Sequence, residues 1–530
     1  MTISDRSRKL AWAAVIVSAA TGISRVAGLL REVLMADYFG TLPELSAFAS
    51  VSIIPNLVNS LLADAAISAA FVPVFTRLLM DDARDQAYRL AYKLLTVVVV
   101  VVGAIVLLLI VGAPVVIKLF FPQLAADASL FDLAVQMMRW MMPTVLLLTS
   151  AGVVVGVLYS FERFTAPALG AILWNLVTIV TMLVFHESWG IWALVVGVIA
   201  GTIGQFLLVV TALRGLDFKF RPSFAWRDRQ LAHVLLLMIP VTITLGILNF
   251  NALISHVFAW KVSDQGPSQF YYAFRLFQLP QGMFAIAIGT VLFPSLSRRA
   301  ALDDIDGFRK TMSTGLRQIF FVSLPFMAWY LTMPEAIVRL IYQHGRFTSE
   351  STHDVAWALT GFAAGLVFAN GTIMFNRSFQ ALQKPWLPMY VALANLGINA
   401  VLAALLWEPL GVRGITLATA IVSTFNFFAL AWLMRRQIGS IDGRRIAGHT
   451  VRMLVCTAAL LVVSVGLWRA LAGFADRGFA GLVIIAGGSL VLGGLAYLGV
   501  ARLLRLEELA VVSSLLHRGR RGTTAAEAPS

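Results

Sequence analysis

Charge is scarce in this chain, and cysteine is nearly absent. Of its 530 residues only 13% are Asp, Glu, Lys or Arg, about half the share of a soluble globular domain. No stretch is both long and polar enough to form a separate soluble domain. The single cysteine, Cys456, lies in an apolar run, which excludes an internal disulfide and leaves the redox compartment open. The seven histidines are scattered, with no ligand spacing and no cysteine partner, so no metal site is expected. His256, in an apolar helix, reads as a hydrogen-bonded interior residue rather than a proton relay. There is no Gly-x-x-x-x-Gly-Lys loop for ATP and no Gly-x-Ser-x-Gly elbow. An enzyme is therefore not expected, no cofactor is implied, and nucleotide hydrolysis by this chain is not its energy source.

What fills the sequence instead is apolar. Hydrophobic residues make up 59%, in runs such as Leu94–Ile117, Met142–Leu158 and Leu454–Ala470 broken by short polar stretches. The reading is an all-α polytopic membrane protein of about fourteen transmembrane helices. They fall near 8–37, 45–77, 88–119, 129–159, 164–186, 189–213, 231–260, 267–297, 307–333, 352–382, 386–407, 411–435, 449–471 and 479–503. The N-terminus (Arg6, Arg8, Lys9, then apolar) resembles a signal peptide, but the helical pattern continues to Phe39, which suggests a retained first helix. Bases concentrate in alternate loops: Arg77, Arg84 and Arg89; Arg163; Arg214 to Arg229; Arg298, Arg299, Arg309 and Lys310; Lys384; Arg435 to Arg445. The opposite loops hold Asp37 with Glu44, and His186 with Glu187; the stretch with Arg339 and Arg346 is the exception. This alternation predicts a multi-pass membrane protein with an even number of spans and both termini in the cytoplasm. The net charge of +14 then faces anionic membrane lipid, and nucleic acid is not an expected partner.

The chain also repeats itself. Phe71-Val72-Pro73-Val74-Phe75-Thr76-Arg77 matches Leu292-Phe293-Pro294-Ser295-Leu296-Ser297-Arg298 at an offset of 221. The same offset relates Ile117-Lys118-Leu119 to Val338-Arg339-Leu340, Pro167 to Pro388, Gly190 to Gly411 and Arg214 to Arg435. This predicts two parallel six-helix repeats plus two C-terminal helices, an arrangement suited to rocking about a site. The expected divisions are an N-terminal lobe 1–214, a basic cytoplasmic linker 215–230, a C-terminal lobe 231–436, two additional helices in 437–505 and a cytoplasmic tail 506–530 with a disordered, alanine-rich end.

Charges inside the spans are the candidate functional residues. Arg25, Arg31 and Glu32 lie in the first helix, Asp64 in the second and Arg275 in the eighth. Arginine near the bilayer centre costs roughly 2.5–3.5 kcal/mol on insertion scales, so such residues usually face water or a counter-charge. Arg25 could instead snorkel to the surface or pair with Glu32, two turns on. Arg31 points about 120° away from Arg25 on a straight helix, so a bend, for instance at Gly28 or Gly40, is needed for both to reach one cavity. Pro55 and Pro280, midway along the second and eighth helices, free backbone carbonyls and could mark gates.

These residues also carry a resemblance. Ser24-Arg25-Val26-x-Gly28-x-x-Arg31-Glu32, Pro55-Asn56-Leu57, Ala70-Phe71-Val72-Pro73, Tyr272-Ala273-x-Arg275-Leu276 with Pro280, and Ala287-Ile288-Gly289-Thr290-Val291-Leu292-Phe293-Pro294-Ser295-Leu296 resemble the MurJ (MviN) family. These are lipid II flippases of the multidrug/oligosaccharidyl-lipid/polysaccharide exporter superfamily. The resemblance implies transport of lipid-linked peptidoglycan precursor by alternating access around a cationic cavity. Arg25, Arg31 and Arg275 would bind the headgroup diphosphate, and the last two helices would form a groove for the lipid tail. The chain departs from the family pattern at Asn59 (commonly Arg), Asp64 (commonly Glu), Gln278 and Ser46 (both commonly acidic). Asn395 and Asn399, one turn apart, fall where some members bind sodium. Coupling to the membrane potential or a monovalent cation is thus open. A flippase for another polyprenyl-pyrophosphate-linked glycan, or a membrane scaffold for cell-wall synthesis proteins, are the alternatives.

Overall fold

Among the described residues of a computed structural model, nineteen α-helical segments, one short 3-10 turn (Leu124–Ala126) and two π turns follow one another. The structure describes residues 3–62, 64–81, 83–218, 221–224, 228–475 and 478–509. The side chains of 3–16, 18, 61–62, 64–69, 237, 239–241, 243–245, 247–248, 472 and 474–475 lie outside that description. The helices of the first half are α1 (Ile3–Phe39), α2 (Pro43–Leu62), α3 (Asp64–Met80), α4 (Arg84–Val111), α5 (Ala113–Phe120), α6 (Ala128–Ser160), α7 (Thr165–Trp189), α8 (Trp192–Thr211) and α9 (Arg229–Val262). Then come α10 (Gly266–Pro280), a π turn (Gln281–Ala285), α11 (Ile286–Ala301), α12 (Ile305–Thr332), α13 (Pro334–Tyr342), α14 (Ser349–Ala363) and α15 (Leu366–Ala381). The chain closes with α16 (Trp386–Ile438), α17 (Gly443–Ala475), α18 (Phe479–Leu482), a second π turn (Val483–Gly487) and α19 (Gly488–Leu503).

Each expected span is found as a helix or a helix pair. Among the described residues eight helices are long and apolar enough to cross a membrane, or ten if each sharply bent pair is one span. The expected spans 386–407 and 411–435 are the two parts of α16, which kinks at the non-helical backbone of Gly411 between them. The second expected span is described as α2 and α3, on either side of residue 63, which lies outside the described residues.

The duplication read from sequence recurs in backbone geometry. Helices begin at Arg84, Ala113, Ala128 and Thr165, and again at Ile305, Pro334, Ser349 and Trp386, each pair 221 residues apart. Gly190 (φ 54°, ψ −134°) and Gly411 (φ 57°, ψ −139°) obey the same offset. That conformation is essentially closed to residues with a Cβ, so glycine at both positions is a steric requirement of the turn. Glu162 and Gln383, also 221 apart, both have left-handed φ (59° and 57°).

Packing divides the chain into two units, Met1–Ser268 with His344–Thr348, and Gln269–Gln343 with Ser349–Ser530. This division by packing falls at Ser268, because α9 packs against α2, α3 and α4. In the first unit α6 is the central helix, flanked by α2, α3, α4 and α8, and α1 lies against α7. Bases gather at one end of this unit. Arg163 donates to the carbonyls of Ala212 and Arg214, both at 2.8 Å, and Arg84 and Tyr88 donate to that of Leu216. Cations over a helix C-terminus are favourable there. Elsewhere in the unit, the base-poor segments meet. Asp37, Tyr38, Glu44, His186, Glu187 and Arg346 are among the residues lining a cavity of about 580 Å³.

In the second unit α12 is central. Phe308, Leu316, Phe320 and Phe321 from it are buried with Phe375, Phe379, Phe427 and Tyr497. Its basic end repeats the pattern of the first unit: Arg309 donates to the carbonyls of Ile438 and Ser440 (3.0 and 2.8 Å) at the end of α16. The additional helices α17 and α19 are fastened to α12 by Tyr497 Oη donating to Phe321 O (2.8 Å) and by Trp329 Nε1 donating to Ser464 Oγ (3.1 Å). The start of the expected tail is docked as well: Glu508 is 3% exposed, and Arg317 bonds it at 2.5 Å. Residues 510–530 lie outside the described residues.

Acidic caps set several helix starts, as the preference for Asp at the N-cap requires. Asp228 accepts from the backbone N–H groups of Gln230 and Leu231 (2.9 and 3.0 Å) and pairs with Lys93 at 2.6 Å. The hydrogen bond from Lys93, above all, holds its carboxyl below the usual carboxylate range. Its contribution to stability is complete at neutral pH and is lost as pH falls through that lowered value. Melting temperatures of wild type and Asp228→Asn in detergent should therefore differ at pH 7 and converge on acidification. Separately, Gly411→Ala should cost about 1–3 kcal/mol of stability, measured by thermal unfolding in detergent.

Candidate functional site

Helix α1 carries two arginines with different surroundings. Arg31 is turned onto α7 and buried. Its Nη2 pairs with Glu32 Oε1 at 2.6 Å, its Nη1 donates to Asn175 Oδ1 at 3.2 Å, and its guanidinium lies 4.6 Å from the centre of the Trp174 ring. Asn175 is held for this task. Its Nδ2 donates to Ala171 O (2.9 Å) and towards Ser24 Oγ (3.4 Å), which turns Oδ1 to the arginine. Gly28 faces Asn175; a Cβ there would sit 3.8 Å from Oδ1, an ordinary van der Waals contact. Gly201 lets α8 close onto α7 behind Trp174, since a Cβ on it would meet Trp174 O at 2.8 Å.

Arg25 lies six residues earlier on the same unbroken helix, which amounts to about 120° of rotation. It is exposed and has no hydrogen-bond or ion-pair partner among the described residues. The alternative in which Glu32 pairs with Arg25 is not what the fold adopts, because that carboxylate reaches Arg31. Gly28 does not bend α1, so the two guanidinium groups sit on different faces. Arg31 and Glu32 nearly cancel, and Arg25 supplies the uncompensated charge.

In the second unit, Arg275 is partly buried on α10. Its Nη2 donates to Tyr271 Oη at 3.2 Å, with the guanidinium 4.7 Å from the centre of that ring. Gln278 is also partly buried, and Pro280 ends α10 where the π turn begins. Pro55, by contrast, is buried inside a continuous α2. Asn59 Oδ1 is buried and accepts no hydrogen bond among the described residues. Asp64 lies in α3, next to the undescribed residue 63, and its side chain lies outside the described residues. Ser46, where acid is common in the family, accepts from the Ser268 N–H at 3.2 Å. His256 is an interior residue, hydrogen-bonded to Ser50 Oγ at 3.1 Å. Asn395 and Asn399 are buried, and their Oδ1 atoms accept no hydrogen bond among the described residues.

Sequence reading missed Trp174, Asn175 and Tyr271. A single Asn in an apolar helix and aromatic residues at helical spacing carry no pattern of their own. One cluster with metal-ligand spacing does exist among the described residues: His449, Glu507 and Glu508. Its carboxylates are already taken by a cation, since Arg317 Nη1 lies 2.5 Å from Glu508 and 3.1 Å from Glu507. Arg317 is the main reason Glu507 ionises below the ordinary carboxylate range. The cluster reads as an ion-pair network joining α12, α17 and the segment after α19.

Comparison with known proteins points one way. Residues 35–480 match the family model described as lipid II flippase MurJ. A probable lipid II flippase MurJ of Rhizobium tropici is 28% identical over 89% of this chain and 91% of its own length. The lipid II flippase MurJ of Burkholderia cenocepacia is 28% identical over 80% of this chain and 84% of its own. Among solved structures, a lipid II flippase MurJ in an inward closed conformation superposes with a TM-score of 0.78 at 22% identity, covering 92% of this chain and 98% of that one. An inward-facing multidrug resistance MATE family transporter of the MOP superfamily gives 0.67 at 15% identity, covering 81% of this chain and 99% of that one.

Removing one partner of a buried ion pair strands the other. Glu32→Ala should therefore lower stability by about 3–5 kcal/mol, and Arg31→Met added to it should recover most of the loss. Thermal unfolding of the wild type and these two variants in detergent checks this.

Proposed function

Because the chain belongs to the lipid II flippase MurJ family, we propose that it carries lipid-linked peptidoglycan precursor from the cytoplasmic to the outer leaflet, with Arg25, Arg31 and Arg275 as its headgroup cations. It is a membrane transporter and not an enzyme. The observation that carries the site assignment is Arg25: a guanidinium well inside a hydrophobic helix, exposed and without a partner among the described residues. A cation left so would be costly against hydrocarbon and is well suited to a water-lined surface that receives an anion. A diphosphate offers oxygens that match the guanidinium fork bidentately.

Arg31 plays a second part in this reading. Held by Glu32 and Asn175, it stays neutralised until diphosphate competes for it, so binding substrate changes the charge balance around α1. That differential interaction is what biases one conformation over another. With the inside negative, the membrane potential favours outward movement of an anionic headgroup, about 2.3 kcal/mol per charge per 100 mV. Both termini then lie in the cytoplasm. A monovalent cation is a further candidate for coupling, supported by the buried amide oxygens of Asn395 and Asn399. A different polyprenyl-pyrophosphate glycan would suit the same cations, and the departures at Asn59, Ser46 and Gln278 are where such a preference would be written.

In a bacterium depleted of its own lipid II flippase, the wild-type chain should restore growth and Arg25→Ala should not. Binding of a short-chain lipid II to the purified variant should weaken about 10- to 100-fold, the loss of one charge-assisted contact. Normal growth and unaltered binding in Arg25→Ala would refute the assignment.

A further inference from the structure

Pro280 has no N–H, so the carbonyl of Leu276, four residues earlier, loses its ordinary helical donor. The structure supplies another. Tyr330, near the end of α12, donates its hydroxyl to Leu276 O at 2.9 Å. The contact is buried, with Leu276 fully buried and Tyr330 3% exposed. Immediately past the proline the helix widens: Ile286 N–H bonds to Gln281 O, five residues back, within the π turn Gln281–Ala285. Leu276 adjoins Arg275. A side chain from α12 thus grips the helix one residue from the cation and one turn before the π turn.

A π turn is one inserted residue, and such insertions cluster at functional sites. They can move along a helix, and moving one past Arg275 would rotate that side chain by about 100° relative to the rest of α10. What holds the insertion on the far side of Pro280 is the bond that makes the freed carbonyl content where it is. A buried carbonyl left without a donor is unfavourable, so the bend and the Tyr330 bond support each other.

We propose that Tyr330 is a positioning residue for transport: its hydroxyl, donating to the carbonyl that Pro280 strands, fixes the bend of α10–α11 and with it the direction of Arg275. This rests on the reading that Arg275 takes the diphosphate. A phenylalanine fills the same volume but cannot donate. Alanine at 280 restores a backbone N–H for Leu276 O, which makes the hydroxyl redundant.

The test is a double-mutant cycle in purified full-length protein, Tyr330→Phe with and without Pro280→Ala. Two readouts are followed: amide hydrogen exchange over 276–286 and binding of a short-chain lipid II. Tyr330→Phe alone should speed exchange across the π turn and weaken binding about tenfold. In the Pro280→Ala background the same substitution should change each by less than twofold. Unchanged exchange in Tyr330→Phe, or an equal effect in both backgrounds, would overturn the proposal. If exchange follows the cycle while binding never moves, the hinge role stands and the assignment of Arg275 to the headgroup fails.

Discussion

An ionised side chain within a low-dielectric span must be paired, solvated or bound to a ligand. Much of this protein's architecture follows from that constraint. Arg31 is paired and clamped between a carboxylate, an amide and an indole. Arg275 lies against a tyrosine, and Arg317 is buried in a network with Glu507, Glu508 and His449. Arg25, by contrast, has no hydrogen-bond or ion-pair partner among the described residues, and on the proposed reading its charge is open to a substrate. The distinction between structural and functional arginines is therefore one of surroundings and not of residue type.

The backbone obeys a parallel rule. Carbonyls and N–H groups in apolar surroundings find donors and acceptors nearby. At exposed helix ends, Arg163 and Arg309 serve the carbonyls just past α8 and at the end of α16, and inside the second unit Tyr330 serves the buried one that proline frees. In the two additional helices Ser464 Oγ donates to Ser489 O while accepting from Trp329. Such bonds tie the helix ends and breaks of each unit to their neighbours, and they fall at the places where helices bend.

Fold and duplication were legible in the sequence because both have long-range signatures. Apolar runs of the right length mark the spans, and Gly190 with Gly411 reveals the repeat because one backbone conformation is open to glycine alone. The division of the chain was less legible: nothing in 231–260 shows that α9 packs on α2 and α3, since an apolar helix can pack on many partners. At the site, the arginines were visible by type but their facing was not. Periodicity placed Glu32 on the side of Arg25, yet a long arginine stem at the adjacent position reaches it first. Asn175, Trp174 and Tyr330 were silent, because each acts through a tertiary contact with a residue far away in sequence.

The central claim is that an unpartnered guanidinium on α1 receives the diphosphate of a lipid-linked precursor and that this binding drives its passage. The most direct test reconstitutes the purified protein in liposomes and follows headgroup accessibility of lipid II from one leaflet over time. Rapid protein-dependent exposure with the wild-type chain, abolished in Arg25→Ala at equal reconstitution, is the predicted result. Equal exposure rates for the two proteins would contradict it.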